Sequence, residues 1–405
     1  MKTEQKGFPN PQAPIPGPPP PFRNPHSAIR NRCLPGLYIH IPFCLSKCPY
    51  CSFYSETDLS LIPGFIEALG REMEMVSPTF SSPFDTVYIG GGTPSVLRPF
   101  QIEEILRKIR KHFRLAPWAE FTLEANPGDL DFPFLRALRE LGIHRLNLGV
   151  QSFAPDVLSF LGRRHTAEKA LQAIEASRKA GFDHLGLDFI YGVPGQALGP
   201  WLDTLRRAIT FSPEHLSCYQ LTLEEGTPMG EAHRRGAFAF PEEEELREFF
   251  LATSESLEEA GFIHYEVSNF SRGLSHASRH NQKYWDHTPY LGLGPSAHSF
   301  SGSVRWWNTP SIMAYMNALR SGTLPLDSRE TLTTDQLRAE AFFLGLRTAR
   351  GINLNDFSAK HGENFFREKE SVLRKIEEEG LIVIRKGYLR PTRAGLAVAD
   401  RLAQI

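Results

Sequence analysis

Between Leu37 and Thr222 short β-rich runs alternate with helical ones, and this alternation constrains the fold more than any other feature of the chain. The strand candidates are Leu37–Pro42, Thr86–Ile89, Phe121–Glu124, Arg145–Val150, His184–Ile190 and Leu216–Thr222. Helical candidates lie between them, near 61–76, 98–112, 130–141, 166–180 and 199–210. Ile102, Ile105, Leu106, Ile109 and Phe113 recur at the i, i+3, i+4, i+7, i+11 spacing of a helix with one buried face. Strand, helix, strand at this regularity predicts an α/β fold of parallel strands joined by right-handed crossovers. About six such units suit a complete or partial (β/α) barrel better than a small open sheet. The C-terminal ends of barrel strands line the mouth, so chemistry is sought there.

Two flanking regions break the pattern. Residues 1–36 hold ten of the 31 prolines, Pro18 to Pro21 among them, and almost no apolar periodicity. Such a stretch cannot bury enough surface to offset its ordering entropy, so a disordered Pro-rich tail is expected. Residues 37–300 form the expected barrel domain and 301–405 a C-terminal domain. Within the latter, helices are predicted at 332–349, 354–360 and 365–379, then a hairpin of Leu381–Arg385 and Gly387–Arg390, then a closing helix. That order describes a small helical, winged-helix-like module. From Thr331 onward 13 Lys/Arg face 10 Asp/Glu, too small an excess for a DNA-binding face.

Over the whole chain 45 Lys/Arg balance 46 Asp/Glu, and no nucleic-acid partner is expected. No apolar run approaches the roughly 20 residues of a membrane helix. The N-terminus also lacks the apolar segment of a secretory signal. Five cysteines, unevenly spread, do not make a disulfide scaffold, so a reducing, cytoplasmic compartment is expected.

Three of those cysteines, Cys44, Cys48 and Cys51, crowd into eight residues just after the first strand candidate. Thiolates at this spacing can wrap one loop around three corners of a [4Fe–4S] cube, leaving the fourth iron open. A structural zinc site closes with four ligands, and no fourth Cys or His follows at finger-like spacing. His40 is near, but strand alternation turns it away from its neighbours.

The run Cys-x-x-x-Cys-x-aromatic-Cys, with Tyr50 as the aromatic, resembles the signature of the radical S-adenosylmethionine (SAM) enzymes. The wider context, YIHIPFCLSKCPYC, resembles their coproporphyrinogen oxidase-like branch, which holds the HemN oxidases and the HemW-type haem chaperones. The resemblance extends from about residue 37 to the C-terminus. It implies a radical SAM partial barrel, a [4Fe–4S] cluster on Cys44, Cys48 and Cys51, and SAM chelated at the open iron. There an electron from the cluster cleaves the sulfonium to a 5′-deoxyadenosyl radical, while the protein supplies orientation and electronics.

The resemblance also implies a set of SAM contacts. Gly90-Gly91-Gly92-Thr93 meets the methionine amino end, with Gly91, Gly92 and Thr93 at the contact. Glu124 accepts from the ammonium, Gln151 offers amide groups, and Arg163 pairs with the carboxylate, Arg164 being the alternative beside it. Asp188 suits the ribose hydroxyls, and Tyr38 and Tyr50 complete the set. Each has a plain structural alternative as a salt bridge, a solvated side chain or a core residue.

HemN oxidases carry a further cysteine two positions after the third, where this chain has Phe53. His280-Asn281-Gln282-Lys283-Tyr284-Trp285 matches the HNxxYW motif associated with haem handling in the HemW branch. His280 is thereby an expected haem-contacting residue, with His276 or His287 nearby as substitutes and Tyr284 and Trp285 against the ring. The expected function is a haem chaperone that delivers haem, as cargo, to haem-requiring respiratory apoenzymes, including those at a membrane surface. An electron donor is implied wherever SAM is cleaved, and coproporphyrinogen oxidase activity is not expected. The alternatives are an oxygen-independent coproporphyrinogen III oxidase and a nucleic-acid-acting radical SAM protein.

Overall fold

The computed structural model describes residues 34–402, so the expected tail lies outside the described residues up to 33, and Gly36 already opens the first strand. Six strands follow in chain order: β1 (Gly36–Ile41), β2 (Phe84–Gly91), β3 (Leu115–Ala125), β4 (Arg145–Gln151), β5 (His184–Tyr191) and β6 (His215–Gln220). Each pairs in parallel with the next. The crossover helices Ile62–Val76, Pro99–His112, Phe132–Glu140, Ala167–Lys179 and Leu198–Thr210 coincide closely with the expected ones.

The helix Pro99–His112 illustrates why these segments are helical. Pro99 pre-sets the first turn, and Arg110, Lys111 and His112 oppose the negative end of the helix dipole. Its buried stripe is Ile102, Ile105, Leu106 and Ile109. Along β1 the apolar residues Leu37, Ile39 and Ile41 belong to the main hydrophobic core, whereas Tyr38 and His40 alternate onto the inner face. The barrel interior is therefore the polar side of its own strands.

The sheet does not close. Beyond β6 lie the antiparallel β7 (Ile263–Glu266) and β8 (Asn269–Ser271). On the other side β9 (Tyr290–Leu293) pairs in parallel with β1. Antiparallel β10 (His298–Ser301), β11 (Val304–Asn308) and β12 (Leu326–Thr331) continue that edge, and the order is β12-β11-β10-β9-β1-β2-β3-β4-β5-β6-β8-β7.

The added edge runs past residue 301, the boundary expected for the barrel domain. Residues 301–331 belong to the barrel sheet, because β11 and β12 extend its backbone ladder. A buried carboxylate also pins this edge. Glu72 accepts from Gly294 N at 2.9 Å, Asn308 Nδ2 at 2.5 Å and Tyr315 Oη at 2.6 Å.

A second hydrophobic core, built on Phe342, Leu346, Phe357, Phe365 and Leu389, defines the C-terminal module. Its helices are Thr334–Gly345, Leu354–His361, Asn364–Glu368 and Glu370–Glu378. The strands Ile352–Asn353, Ile382–Arg385 and Tyr388–Pro391 form a three-stranded sheet, followed by short helices at Arg393–Ala397 and Ala399–Leu402. Those last helices dock on the helix Glu243–Glu259, where Arg393 pairs with Glu255 and Glu258 and Arg401 with Glu243.

Candidate cofactor site

The three clustered cysteines sit on a loop leaving the C-terminal end of β1. Cys44 N donates to Glu56 O at 2.9 Å and Glu56 N to Pro42 O at 2.7 Å, which clamps the base of the loop. Cys44 is buried, while Cys48 and Cys51 are partly exposed, and all three are free thiols. Burial pushes the Cys51 thiol up. Cys44 Sγ lies 3.3 Å from Thr93 Oγ1, and Arg163 Nη1 lies 3.4 Å from Cys48 Sγ. Among the described residues no three His, Cys, Asp or Glu groups gather as a single metal ion requires. A cube meets each thiolate at a separate iron corner and does not need that convergence. His40 is no fourth ligand: its ring nitrogens contact Tyr54 O at 2.9 Å and Tyr38 Oη at 3.1 Å.

Above the strand ends lies a cavity of about 820 Å³, whose wall includes Tyr50, Cys51, Gly91, Gly92, Thr93, Glu124, Gln151, Arg163 and Asp188. Of the expected SAM set only Tyr38 is absent from this wall. It faces the barrel interior below, its ring 6.2 Å from that of Tyr88.

The geometry suits a polar ligand with an ammonium and a carboxylate. Glu124 Oε1 accepts from Tyr88 Oη at 2.6 Å and Oε2 from Gly91 N at 3.3 Å. Burial pushes its carboxyl up to about 7, against the pull of these donors. A Cβ at Gly90 would stand 2.8 Å from Glu124 Oε2, so only bare backbone fits beside that carboxylate. Gly91 has φ +112, a conformation side chains rarely adopt. Arg163 Nη2 donates to Gly149 O at 2.8 Å, which aims the guanidinium into the cavity, and its Nε has no partner among the described residues. Arg164 instead pairs with Asp129 at 2.8 Å and does not line the cavity. Asp188 Oδ1 is buried and unpartnered among the described residues, an acceptor left for a ligand or water. Gln151 closes β4 at φ +64, a left-handed backbone at a non-glycine residue.

His280, Tyr284 and Trp285 are not brought to this cavity. They lie on the helix Arg279–Trp285, which packs against β2 and has its base beside Gly36, where β1 begins. His280 is 1% exposed, and its ring nitrogens contact Thr86 Oγ1 at 2.8 Å and Tyr284 Oη at 3.0 Å. In this arrangement both ring nitrogens are engaged by hydroxyls, and the expected haem contact is not brought to the cavity. Burial lowers the imidazole to about 3, so the ring is neutral. Trp285 serves as a joint: Arg347 of the C-terminal module lies over its ring at 5.6 Å and pairs with Asp400.

Several cavity residues escaped the sequence reading. The outer wall holds Leu246 and Phe250 from the helix Glu243–Glu259, and Leu396 and Val398 from the C-terminal end. Arg247, Arg347 and Arg401 stand among them. The i, i+4 pair Leu246 and Phe250 was a visible signal, hidden behind the acidic run Glu242–Glu245.

Comparison with known proteins agrees with this architecture. The sequence pattern of the Radical SAM superfamily matches residues 38–208, and that of the HemN C-terminal domain matches 332–398. The chain is 36% identical over 374 residues to a heme chaperone HemW of Mycobacterium tuberculosis, covering 91% of this chain and 94% of that one. It is 33% identical over 349 residues to a heme chaperone HemW of Bacillus subtilis, covering 85% and 92%. Its fold matches that of the coproporphyrinogen III oxidase HemN from Escherichia coli with a TM-score of 0.80 over 92% of this chain and 89% of the other, at 22% identity. A cysteine-bearing loop over an open parallel barrel, closed by this C-terminal module and matched along most of its length by these relatives, makes the chain a member of the HemW family of radical SAM proteins.

Proposed function

We propose that this protein is a haem chaperone that carries a [4Fe–4S] cluster and SAM and passes haem to haem-requiring enzymes, respiratory ones included. Cys44, Cys48 and Cys51 would hold three irons of the cluster. Glu124 would take the methionine ammonium, Arg163 its carboxylate, Gln151 the adjoining polar groups and Asp188 the ribose. When bound, the cluster supplies an electron for sulfonium cleavage, and an electron-donor partner is then required. Haem would rest against the apolar outer wall of the cavity, on Phe250, Leu246, Leu396 and Val398, with the neighbouring arginines near its propionates.

The observation that carries the chaperone reading over the oxidase reading is Phe53. It is 64% exposed on the cavity wall, at the position where the oxidases of this branch have a further thiol. Anaerobic reconstitution followed by parallel haem titration and a coproporphyrinogen III assay tests it. Haem binding without porphyrinogen turnover supports the chaperone. Robust protoporphyrinogen IX formation without haem binding would establish the oxidase instead.

A further inference from the structure

Phe343 and Arg347 stand four positions apart where the helix Thr334–Gly345 ends, a spacing that puts them on one face. The Arg347 guanidinium carbon lies 5.3 Å from the centroid of the Phe343 ring and 5.6 Å from that of Trp285. Two aromatic rings at this range attract a guanidinium and restrict its rotamers. Trp285 Nε1 is buried without a partner among the described residues, so the indole meets Arg347 through its ring. The backbone beneath is stitched to the barrel sheet. Val267 N donates to Arg347 O at 2.9 Å, and Ala349 N to Tyr265 O at 3.1 Å.

This held guanidinium reaches the cavity wall, where Asp400 stands beside it as its ion-pair partner. The two differ in setting: the Arg347 side chain is 20% exposed and that of Asp400 is 74% exposed. Burial lowers the guanidinium, and Glu266 opposes that shift from a distance. Glu266 is itself engaged by Asn269 and forms no ion pair with Arg347 among the described residues. The other wall arginines are set differently, because Arg247 and Arg401 are exposed and pair with Glu244 and Glu243 at the surface. Arg347 alone of the three combines a half-buried charge, an aromatic clamp and a counter-ion turned to water.

We propose that Arg347 anchors haem by one propionate, which displaces Asp400 from the guanidinium, and that Trp285 is a positioning residue acting through Arg347. This rests on the haem reading given above. A pre-oriented guanidinium fork matches a carboxylate, and an exposed partner such as Asp400 is weakly held, so the exchange costs little. Asp400 lies on the helix Ala399–Leu402, and its release requires only that an exposed side chain turn into water. Leu246, Phe250, Leu396 and Val398 lie on the same wall, so a flat apolar ring and its acidic edge find complementary surfaces together. The HNQKYW segment then bears on haem without touching it.

The test is a spectroscopic titration of the full chain with haem and with haem dimethyl ester, in which both propionates are blocked. Arg347→Met should bind haem about ten- to a hundredfold more weakly than wild type and bind the ester equally well. Trp285→Leu should weaken haem about two- to tenfold, leave the ester unchanged, and add nothing in an Arg347→Met background. Asp400→Asn removes the internal competitor and should bind haem about two- to fivefold more tightly. Unchanged haem affinity in Arg347→Met, equal losses for haem and ester, or a Trp285→Leu loss that persists in the Arg347→Met background each overturn the proposal and leave the chaperone reading standing. Should Arg347→Met fail to fold, Asp400→Asn decides alone, since it alters one exposed side chain. Unchanged or weaker haem binding by that variant overturns the proposal. A wild-type protein that binds neither haem nor its ester overturns the chaperone reading, and this proposal with it.

Discussion

The imidazole of His280 stacks on the ring of Tyr88 with centroids 5.1 Å apart, and the hydroxyl of Tyr88 donates to Glu124 at 2.6 Å. The HNQKYW segment thus supports the cavity from beneath. His280→Ala should lower the unfolding free energy by roughly 2–4 kcal/mol, from lost packing and two stranded partners. In the folded fraction it should leave the spectrum of bound haem unchanged. Urea unfolding and a haem titration check both halves, and a lost or displaced Soret shift in a fully stable variant would restore His280 as a ligand.

The outer wall gives the complementary expectation. Phe250→Glu places a charge on the apolar side of the cavity, and haem affinity should fall by about tenfold or more, equivalent to roughly 1.4 kcal/mol. SAM affinity should hold, because Phe250 belongs to the outer wall and not to the strand ends. Parallel titrations of the two ligands measure this.

Replacing Cys44, Cys48 or Cys51 with Ala should reduce iron from about four per chain to near zero after anaerobic reconstitution. Replacing Cys218, buried on β6 away from the loop, should leave the iron content intact. Iron and sulfide analysis with the visible absorption spectrum distinguishes them.

Arg163→Ala should cost SAM about ten- to a hundredfold in affinity, since a charge-assisted contact is worth roughly 1.5–3 kcal/mol. Arg164→Ala should cost SAM little, because that guanidinium is committed to Asp129. Equal losses in the two variants would argue for a shared, indirect effect.

Stability should fall with acid. Burial lowers His165 and His264 to about 4 and His280 to about 3, so the folded chain resists protons that the unfolded chain accepts. Their contribution is complete above pH 6.5 and is withdrawn as the pH drops toward 4, by roughly 3 kcal/mol for a two-unit shift. Glu72 and Glu266, raised to about 7 by burial, act in the opposite sense between pH 4.5 and 7. Below about pH 4.5 the histidines act unopposed by these two groups. Denaturant titrations should therefore show a steep loss there and a shallower slope above it, with the steep limb weakened in His264→Gln.

The six parallel strands and five crossover helices were legible because each carries its own apolar period and its own punctuation. β9 to β12 were not, since strands of four to six residues with exposed partners, such as Leu326–Thr331, leave little periodic signal. The strand-end residues Glu124, Gln151 and Asp188 line one cavity with Cys51, and parallel strand order alone suffices to bring such ends together. His280 went otherwise: residue type and motif suggested a ligand, while burial is decided by the packing of a helix against strands some 200 positions earlier in the chain. Arg145 was equally opaque, because a charge at the start of a strand looks solvated until the sheet curves around it.

The left-handed turn at Gln151 sets folding and recognition against each other at one position. An L-residue held there costs about 1–2 kcal/mol that glycine would not incur. Selection for heat tolerance alone would therefore drift toward glycine at 151, and the resulting proteins would be sturdier yet lack the amide on the cavity wall. Stabilised variants meant to keep their ligands should be screened with that codon held constant.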